Sequence, residues 1–165
     1  MQKYMHKNIR QALPAEYDEI YKMGFDVWGQ EQELEIYLEG CRQSPKYKQG
    51  TWYVLADECG FLYSSLIKYS FADGSCGIGS IATPLALRKA GHASELIKKS
   101  LDLFEKEGIK KTFLFSDIGA AFYEKFGFLQ LPLQFQQYKD SICMIRGVKI
   151  AEIEQNSAFI PPQYF

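Results

Sequence analysis

The sequence predicts a single α/β domain in which helices cover both faces of a mixed sheet. Runs of β-forming residues bounded by turns recur along the chain, as in Thr51–Ala56, which precedes a turn at residues 57–60. Between these runs lie segments with apolar residues at helical spacing, and the longest of them follows His92 and stops at Gly108. A chain of 165 residues is long enough to bury a full core as one domain over residues 1–165.

The first half of the chain predicts one strand, two helices and then a pair of strands that form a hairpin. Pro14 fits the first turn of a helix, and Ser44 with Pro45 interrupts the second helical pattern. Trp28 falls in the stretch between the two helices. The predicted elements are a strand over Asn8–Ala12, a helix from Pro14 to about Gly24, a loop over Phe25–Gln30, a helix over Glu31–Arg42, and strands over Thr51–Ala56 and Phe61–Phe71.

The second half predicts four strands and two helices. We expect Ser116 or Asp117 to cap the short second helix and Gly127 to end it. Ile109–Phe115 is apolar enough to be buried on both faces, as a central parallel strand would be. The predicted elements are a strand over Cys76–Thr83 that Pro84 ends, a helix from about His92 to Gly108, a strand over Ile109–Phe115, a helix over Ala120–Phe126, and strands over Leu129–Leu133 and Tyr138–Arg146.

Residues 147–165 extend beyond the last predicted strand. They include Ile150, Ile153, Phe159 and Ile160, and they are too apolar to form a purely solvated tail. We therefore expect this extension to pack on the body of the domain or on a second subunit, as in a homodimer.

Composition excludes several classes of protein. Since 19 Lys and Arg oppose 20 Asp and Glu, the net charge is −1, and the basic footprint of nucleic-acid or anionic-membrane binding is missing. The four cysteines lie far apart without a C-x-x-C pair and both histidines are isolated, so a metal site is not expected. No run approaches the ~20 apolar residues that a membrane helix requires, and no apolar leader follows Met1. These features predict a protein of the reducing cytoplasm.

The stretch after Pro84 carries the candidate binding site. A turn of small and basic residues, Arg88–Ala93, opens the long amphipathic helix. The first backbone N–H groups of a helix have no intrahelical acceptor, and the helix dipole places about half a positive charge there. Gly91 and Ala93 keep side-chain bulk away from these groups, so a phosphate can approach the backbone. The pattern predicts a cradle for a diphosphate.

Two blocks of the sequence resemble the GNAT superfamily of N-acetyltransferases. Arg88-x-x-Gly91-x-Ala93 is similar to the family's acyl-CoA signature, and Phe122–Phe128 is similar to its second block, at about the family's separation. The resemblance covers roughly residues 7–146. It implies a GNAT-like α/β (α+β) fold with a mixed, mostly antiparallel central sheet of about seven strands and helices on both faces. In that family the fourth strand splays from its neighbour, and the pantetheine arm lies against its backbone.

The resemblance implies acetyl-CoA as co-substrate and no metal. Arg88 is either a phosphate partner or a surface ion pair, and the family mostly uses this position to shape the turn. Ser116 stands where the family's second block often has an asparagine that holds the pantetheine arm. The residues implied to bind the co-substrate are Ile81, Ala82, Thr83, Arg88, Lys89, Ala90, Gly91, His92, Ala93, Ser94 and Ser116.

Tyr123 is the candidate catalytic residue. Amide formation from an acyl thioester expels a thiolate whose conjugate acid has a pKa of roughly 8.5 to 10, close to the ~10 of tyrosine. A phenol held near the sulfur can therefore donate a proton to it, while the alternative role of Tyr123 is that of a core aromatic residue. Several family members place a glutamate base on the fourth strand, but Cys76–Thr83 contains no carboxylate. Water, Glu31 or Glu33 stay open as the base, and none is assigned.

The resemblance implies an enzyme that transfers an acetyl group from acetyl-CoA to a primary amine of a small molecule or peptide by direct attack. The family builds the acceptor side from regions that correspond here to Phe25–Leu38 and Pro132–Lys139. Cys76 raises a ping-pong alternative, yet no histidine is placed by the sequence to activate it. The alternative from another class is a non-catalytic acyl-CoA-binding regulatory module with the same fold.

Overall fold

The computed structural model of the protein describes residues 5–165. Its strands are β1 (Lys7–Gln11), β2 (Thr51–Asp57), β3 (Leu62–Ser70), β4 (Cys76–Ala82), β5 (Thr112–Ser116), β6 (Leu129–Gln130) and β7 (Ile142–Arg146). Its α-helices are α1 (Tyr17–Met23), α2 (Phe25–Trp28), α3 (Leu34–Gln43), α4 (Pro45–Gln49), α5 (His92–Lys106), α6 (Ala121–Glu124) and α7 (Ile150–Gln155). The strands form one seven-stranded sheet in the order β1-β2-β3-β4-β5-β7-β6.

Antiparallel pairing dominates this sheet. β2 pairs antiparallel with β1 and with β3, and β7 pairs antiparallel with β5 and with β6. β4 and β5 pair in parallel, through Cys76 with Thr112 and Gly77 with Phe113. The mixed, mostly antiparallel seven-stranded sheet of the predicted GNAT-like α/β fold is thereby confirmed.

The chain divides into two compact units, and the first contains the chain up to Lys68 together with Ser80–Leu103. In this unit α5 buries Leu96 and Ile97 while Lys98 is exposed, as the helical period requires. β2 and β3 supply the apolar residues of the sheet. The residues of this unit with no more than 1% exposure include Val54, Leu55, Leu62, Leu66, Ile67, Leu96 and Ile97.

The prediction of a loop over Phe25–Gln30 is wrong, because its first four residues form the single helical turn α2. The Gly29 N–H donates to the Phe25 carbonyl at 2.9 Å and closes the turn. The Trp28 ring packs directly on Gly24, where a Cβ atom would overlap it. Close packing of a ring on a glycine is a tertiary contact, and local residue preferences do not reveal it.

The second predicted helix differs from α3 at both ends. α3 begins later than predicted, because Gln30 and Glu31 have left-handed backbones with φ of 49° and 61°, which an α-helix cannot continue. After α3 the chain enters a further short helix, α4, where the sequence predicts only an interruption. Ser44 caps α4 through its Oγ atom, which accepts the Tyr47 N–H at 3.2 Å, and Pro45 occupies the first helical position.

The second unit contains Tyr69–Gly79 and Phe104–Phe165. Phe113 and Leu114 of β5 are 5% and 1% exposed, and consecutive strand residues point to opposite faces of a sheet. β5 is also paired on both sides, with β4 and with β7. The prediction of a strand that is buried on both faces and pairs in parallel is confirmed, but the strand begins at Thr112 rather than at Ile109, and residues 110 and 111 before it are exposed.

The two closing strands are shorter than predicted. A 3-10 turn over Leu133–Phe135 follows Pro132, so the strand β6 stops after two residues. Before β7, the side chain of Gln136 takes the place of a neighbouring strand. Its amide nitrogen donates to the Cys143 carbonyl at 2.9 Å, and its oxygen accepts the Cys143 N–H at 2.8 Å.

The extension over residues 147–165 packs within the second unit, which confirms the first of the two expected arrangements. Ile153 of α7 is 3% exposed, and the Phe159 ring lies 5.0 Å from that of Phe135 in a T-shaped pair. Phe165 is partly buried against the same core. The buried residues of that core are Phe113, Leu131, Cys143, Ile145 and Ile153.

Candidate active site

The end of β4 is held to β3 by two hydroxyl groups. Ser64 Oγ donates to the Ala82 carbonyl at 2.7 Å and lies 3.0 Å from Thr83 Oγ1. Since the single Ser64 proton is used on Ala82, Thr83 is the donor to Ser64. Ser64 is fully buried and Thr83 is 8% exposed, and buried hydroxyls in proteins are rarely left without partners. These bonds fix the position of Ala82 and Thr83 and hold the half-buried Ile81 next to them.

Two residues with left-handed backbones turn the chain from β4 into α5. Lys89 has a φ of 65° and Gly91 a φ of 84°, a region that glycine enters at little cost. A Cβ atom at Gly91 would meet no atom within 4 Å, so the space beside this backbone is open. Lys89 and Ala90 are exposed on the same turn. A ligand can therefore reach the backbone of the turn from solvent.

The start of α5 fits a diphosphate group. The helix begins at His92, and a bond of its first turn runs from the Glu95 N–H to the Gly91 carbonyl at 3.0 Å. The N–H groups of the residues before Glu95 point out of the helix end, where the dipole favours negative charge. Ala93 and Ser94 add little bulk beside them. Backbone donors, open space and a positive dipole end are the features that phosphate groups require.

Arg88 is held by three groups of the first unit. Its Nε donates to the Thr83 carbonyl at 2.9 Å, and Nη2 donates to the Met23 carbonyl at 3.1 Å. Both Nη atoms donate to the Asp26 carboxylate, at 2.7 and 2.8 Å. The hydrogen bond from Arg88 lowers the pKa of the Asp26 carboxyl, so the pair is charged at neutral pH. Arg88 thus ties the turn to the helices α1 and α2. The sequence left two roles open for Arg88, a phosphate partner or a surface ion pair, and these contacts are those of an ion pair that shapes the turn.

His92 belongs to a charged cluster on the first turn of α5. Lys7 Nζ lies 3.2 Å from His92 Nδ1 and 2.7 Å from Glu95 Oε2. Because an ammonium group only donates, Nδ1 is the acceptor in this contact. Burial, together with the charge of Lys7, lowers the pKa of His92. The neutral imidazole is thus tethered to β1, and it also packs against the Tyr63 ring of β3 at 5.0 Å.

Tyr123 lies on α6 in the second unit and is partly buried. Its ring packs at 5.0 Å from that of Phe122 and at 6.3 Å from that of Phe128. The backbone is fixed as well, since the Tyr123 N–H donates to the Ala120 carbonyl at 3.0 Å. Burial, and to a smaller extent the charge of Asp117, raises the pKa of Tyr123 to about 12. The phenol therefore carries its proton throughout the physiological pH range.

Ser116 ends β5 and shapes the loop that leads to Tyr123. The expectation that Ser116 or Asp117 caps the following helix is wrong, because the N-cap residue of α6 is Ala120, without a side-chain cap. Ser116 Oγ instead donates to the Gly119 carbonyl at 2.5 Å and accepts the Ile118 N–H at 3.3 Å. The hydroxyl is therefore already used within this loop.

The predicted site residues fall into two groups. The predicted co-substrate residues between Ile81 and Ser94 lie within one stretch of the first unit. Ser116 and Tyr123 belong to the second unit. Sequence reasoning missed the part that Ser64 plays in fixing the end of β4. It also missed the pairing of Asp26 with Arg88, because no local signal joins residues 62 positions apart.

Two further findings concern metals and membranes. Within residues 5–165, no group of three or more His, Cys, Asp and Glu side chains is arranged to hold a metal ion. Over the same residues, every helix is too short or too polar to cross a bilayer.

The mixed sheet and the glycine turn at the start of α5 agree with the fold and with the first sequence block of the GNAT resemblance. The model of the family described as "Acetyltransferase (GNAT) family" matches residues 15–128, more than half of the chain. The protein therefore belongs to the GNAT acetyltransferase family, whose members are acetyl-CoA-dependent N-acetyltransferases. A comparison with curated proteins gave no significant match.

Solved structures share the fold at low sequence identity. A GNAT-family acetyltransferase from Staphylococcus aureus Mu50 has a TM-score of 0.63 at 12% identity, covering 87% of this chain and 100% of its own. One from Brucella melitensis, solved with acetyl-CoA, has a TM-score of 0.57 at 20% identity, covering 85% and 88%. YhbS from Escherichia coli, solved with CoA, has a TM-score of 0.65 at 16% identity, covering 88% and 83%.

Proposed function

We propose that this protein transfers the acetyl group of acetyl-CoA to a primary amine of a small molecule or peptide by direct attack of the amine on the thioester. One observation carries the proposal: the family match over residues 15–128 includes both the glycine turn at Gly91 and the Tyr123 helix. The first supplies the features of a diphosphate site, and the second supplies a protonated phenol.

We assign the backbone of the turn as the binding site for the diphosphate of acetyl-CoA. The N–H groups around Gly91 and His92 donate to it, and the dipole of α5 favours its charge. Arg88 acts on this site indirectly, because its guanidinium already binds Thr83, Met23 and Asp26. It holds the turn in the conformation that presents the N–H groups.

Tyr123 is assigned the role of general acid. When the amine nitrogen bonds to the carbonyl carbon, the C–S bond breaks and the sulfur leaves with the electron pair. The Tyr123 hydroxyl donates its proton to that sulfur and is afterwards reprotonated by solvent. A pKa of about 12 keeps the hydroxyl protonated before the step. The same value makes Tyr123 a weaker acid than an ordinary tyrosine, so it donates only after substantial charge has formed on the sulfur.

Direct attack is favoured over a covalent route by the surroundings of Cys76. This residue is fully buried, and its sulfur lies 3.5 Å from Thr112 Oγ1. A nucleophilic thiol needs access and a basic neighbour. The described contact of this thiol is the Thr112 hydroxyl, which is not a base.

No side chain is assigned as the base that accepts the amine proton. Asp26 is unsuited to this role, because Arg88 lowers the pKa of its carboxyl and engages both of its oxygens. Glu31 and Glu33 are exposed on the segment before α3, and water is the remaining candidate.

The test is a panel of primary amines incubated with acetyl-CoA, with CoA release measured by a thiol reagent and the acetylated amine by mass spectrometry. Acetyl-CoA binding is measured in parallel by titration calorimetry. We expect CoA and acetylated amine to form in equal amounts. Acetyl-CoA binding without turnover of any amine would instead support the non-catalytic module.

A further inference from the structure

Gly77 of β4 forms a socket for the ring of Phe165. A Cβ atom at Gly77 would lie 2.6 Å from Cε2 and 2.9 Å from Cε1 of that ring, so only glycine leaves room for it. Gly77 also belongs to the second of the two residue pairs that join β4 to β5, the pair with Phe113. The Phe165 ring therefore lies on the sheet at the point where the described pairing of these strands ends.

Phe115 of β5 extends this contact along the same face of the sheet. It lies two residues beyond Phe113, and alternate strand residues share a face. Its ring centroid is 5.1 Å from that of Phe165, 5.0 Å from that of Tyr164 and 5.5 Å from that of Tyr138. Phe165 also contacts Phe71 at 5.5 Å. The segment at residues 164–165 thus joins β5 to the loop before β7 through aromatic contacts.

Tyr164 is fixed by a polar bond as well as by packing. Its N–H donates to the Tyr138 hydroxyl at 2.9 Å, and the two rings form a T-shaped pair at 5.5 Å. Tyr138 remains 38% exposed and Tyr164 48% exposed. The cluster of Phe115, Tyr138, Tyr164 and Phe165, which we call the aromatic wall, is therefore ordered and still presents apolar surface to solvent.

We propose that the aromatic wall contacts the acetyl acceptor and selects amines that carry an aromatic group. The proposal rests on the proposed function. In the family that the sequence resembles, the pantetheine arm lies against the fourth strand, and the Phe165 ring packs on that strand at Gly77, where its described pairing with β5 ends. Aromatic rings prefer edge-to-face and offset contacts at about 4.5 to 7 Å between centroids, the arrangement the wall already has among its members. The wall contains no acidic or basic side chain, so it suits the apolar part of the acceptor rather than its ammonium group.

The test compares 2-phenylethylamine with n-butylamine as acceptors for the whole chain and for Phe165→Ala. We expect the wild type to acetylate 2-phenylethylamine with the higher kcat/KM. In Phe165→Ala this preference falls at least tenfold, through a raised KM for the aromatic amine, while the KM for acetyl-CoA stays within twofold. Tyr164→Ala is measured alongside, because its more exposed ring can be removed with less risk to folding.

The matched control is Phe159→Ala. Phe159 lies in the same extension but packs on Phe135, so its loss tests whether destabilising the extension is enough to change the amine preference. We expect a lower melting temperature and an unchanged preference.

The inference would be overturned if Phe165→Ala and Tyr164→Ala both kept the wild-type preference for the aromatic amine. It would also be overturned if Phe159→Ala lost this preference to the same extent as Phe165→Ala. In both cases the proposed function would stand. Wild-type protein that binds acetyl-CoA and acetylates no amine would overturn both.

Discussion

The turn before α5 and the helix that carries Tyr123 are positioned by different forces. Arg88 holds the turn through hydrogen bonds and an ion pair, and its side chain is 30% exposed. Tyr123 is held mainly by its aromatic neighbours Phe122 and Phe128. A site that binds a charged group near solvent can be shaped by polar contacts, whereas the Tyr123 ring is positioned by aromatic packing, and the burial that goes with this packing raises its pKa. The four predictions below test this difference, from the largest expected effect to the smallest.

Replacing Tyr123 by Phe should give the largest effect. The substitution keeps the ring packing and removes the proton donor, and general acid catalysis is typically worth ~10² to 10⁴ in rate. We expect kcat to fall by about that factor while acetyl-CoA affinity stays within a few-fold, as measured by steady-state kinetics and calorimetry. Tyr21→Phe is the matched control, because burial also raises the pKa of Tyr21 to about 12, and it should retain turnover. Normal turnover in Tyr123→Phe would remove this residue from the mechanism.

Gly91→Asp should weaken the binding of acetyl-CoA at the turn. It places bulk and a negative charge beside the proposed diphosphate, so acetyl-CoA affinity should fall at least tenfold, or ~1.4 kcal/mol. A non-glycine residue at a φ of 84° is also strained. Gly108→Asp controls for the strain, since Gly108 has a φ of 87° and equally open surroundings. If calorimetry shows that both folded variants bind acetyl-CoA like the wild type, the cradle assignment is wrong.

Arg88→Ala should weaken acetyl-CoA binding by about three- to tenfold, because it removes hydrogen bonds worth roughly 0.5 to 1.5 kcal/mol each that hold the turn. The control is Arg42→Ala. Arg42 pairs with Asp18, Glu35 and Glu39 away from the turn, so its loss should leave acetyl-CoA affinity unchanged. Equal effects of the two substitutions on the dissociation constant would mean that Arg88 acts only through general stability.

The smallest expected effect is the pH dependence of the Arg88–Asp26 pair. Because the folded pKa of Asp26 is lowered, its stabilising contribution is present above the unfolded value of about 3.9 and is lost as the pH falls through the folded value. Asp26→Asn should therefore have a lower free energy of unfolding than the wild type at pH 7, and the difference should shrink below about pH 4. Urea unfolding at pH 7 and at pH 3.5 measures it. A difference that grows on acidification would contradict the assigned sign.

The elements predicted best were those whose pattern of apolar residues is visible within a short stretch of the sequence. α5 shows its buried face in Leu96 and Ile97 at helical spacing, and β5 is a short run of large apolar residues. The least well predicted stretch was Phe25–Gln30. Its helical turn depends on Trp28 packing on Gly24, which residue propensities do not contain.

By itself, the sequence determined the fold class, the order of its main elements and the place of the glycine turn, because hydrophobic period and glycine position act locally. Tertiary structure alone decided that Arg88 binds Asp26, Thr83 and Met23, and that the ring of Phe165 fills the space beside Gly77. These contacts join residues far apart in the chain. They depend on distances that only folding sets, and no local pattern encodes them.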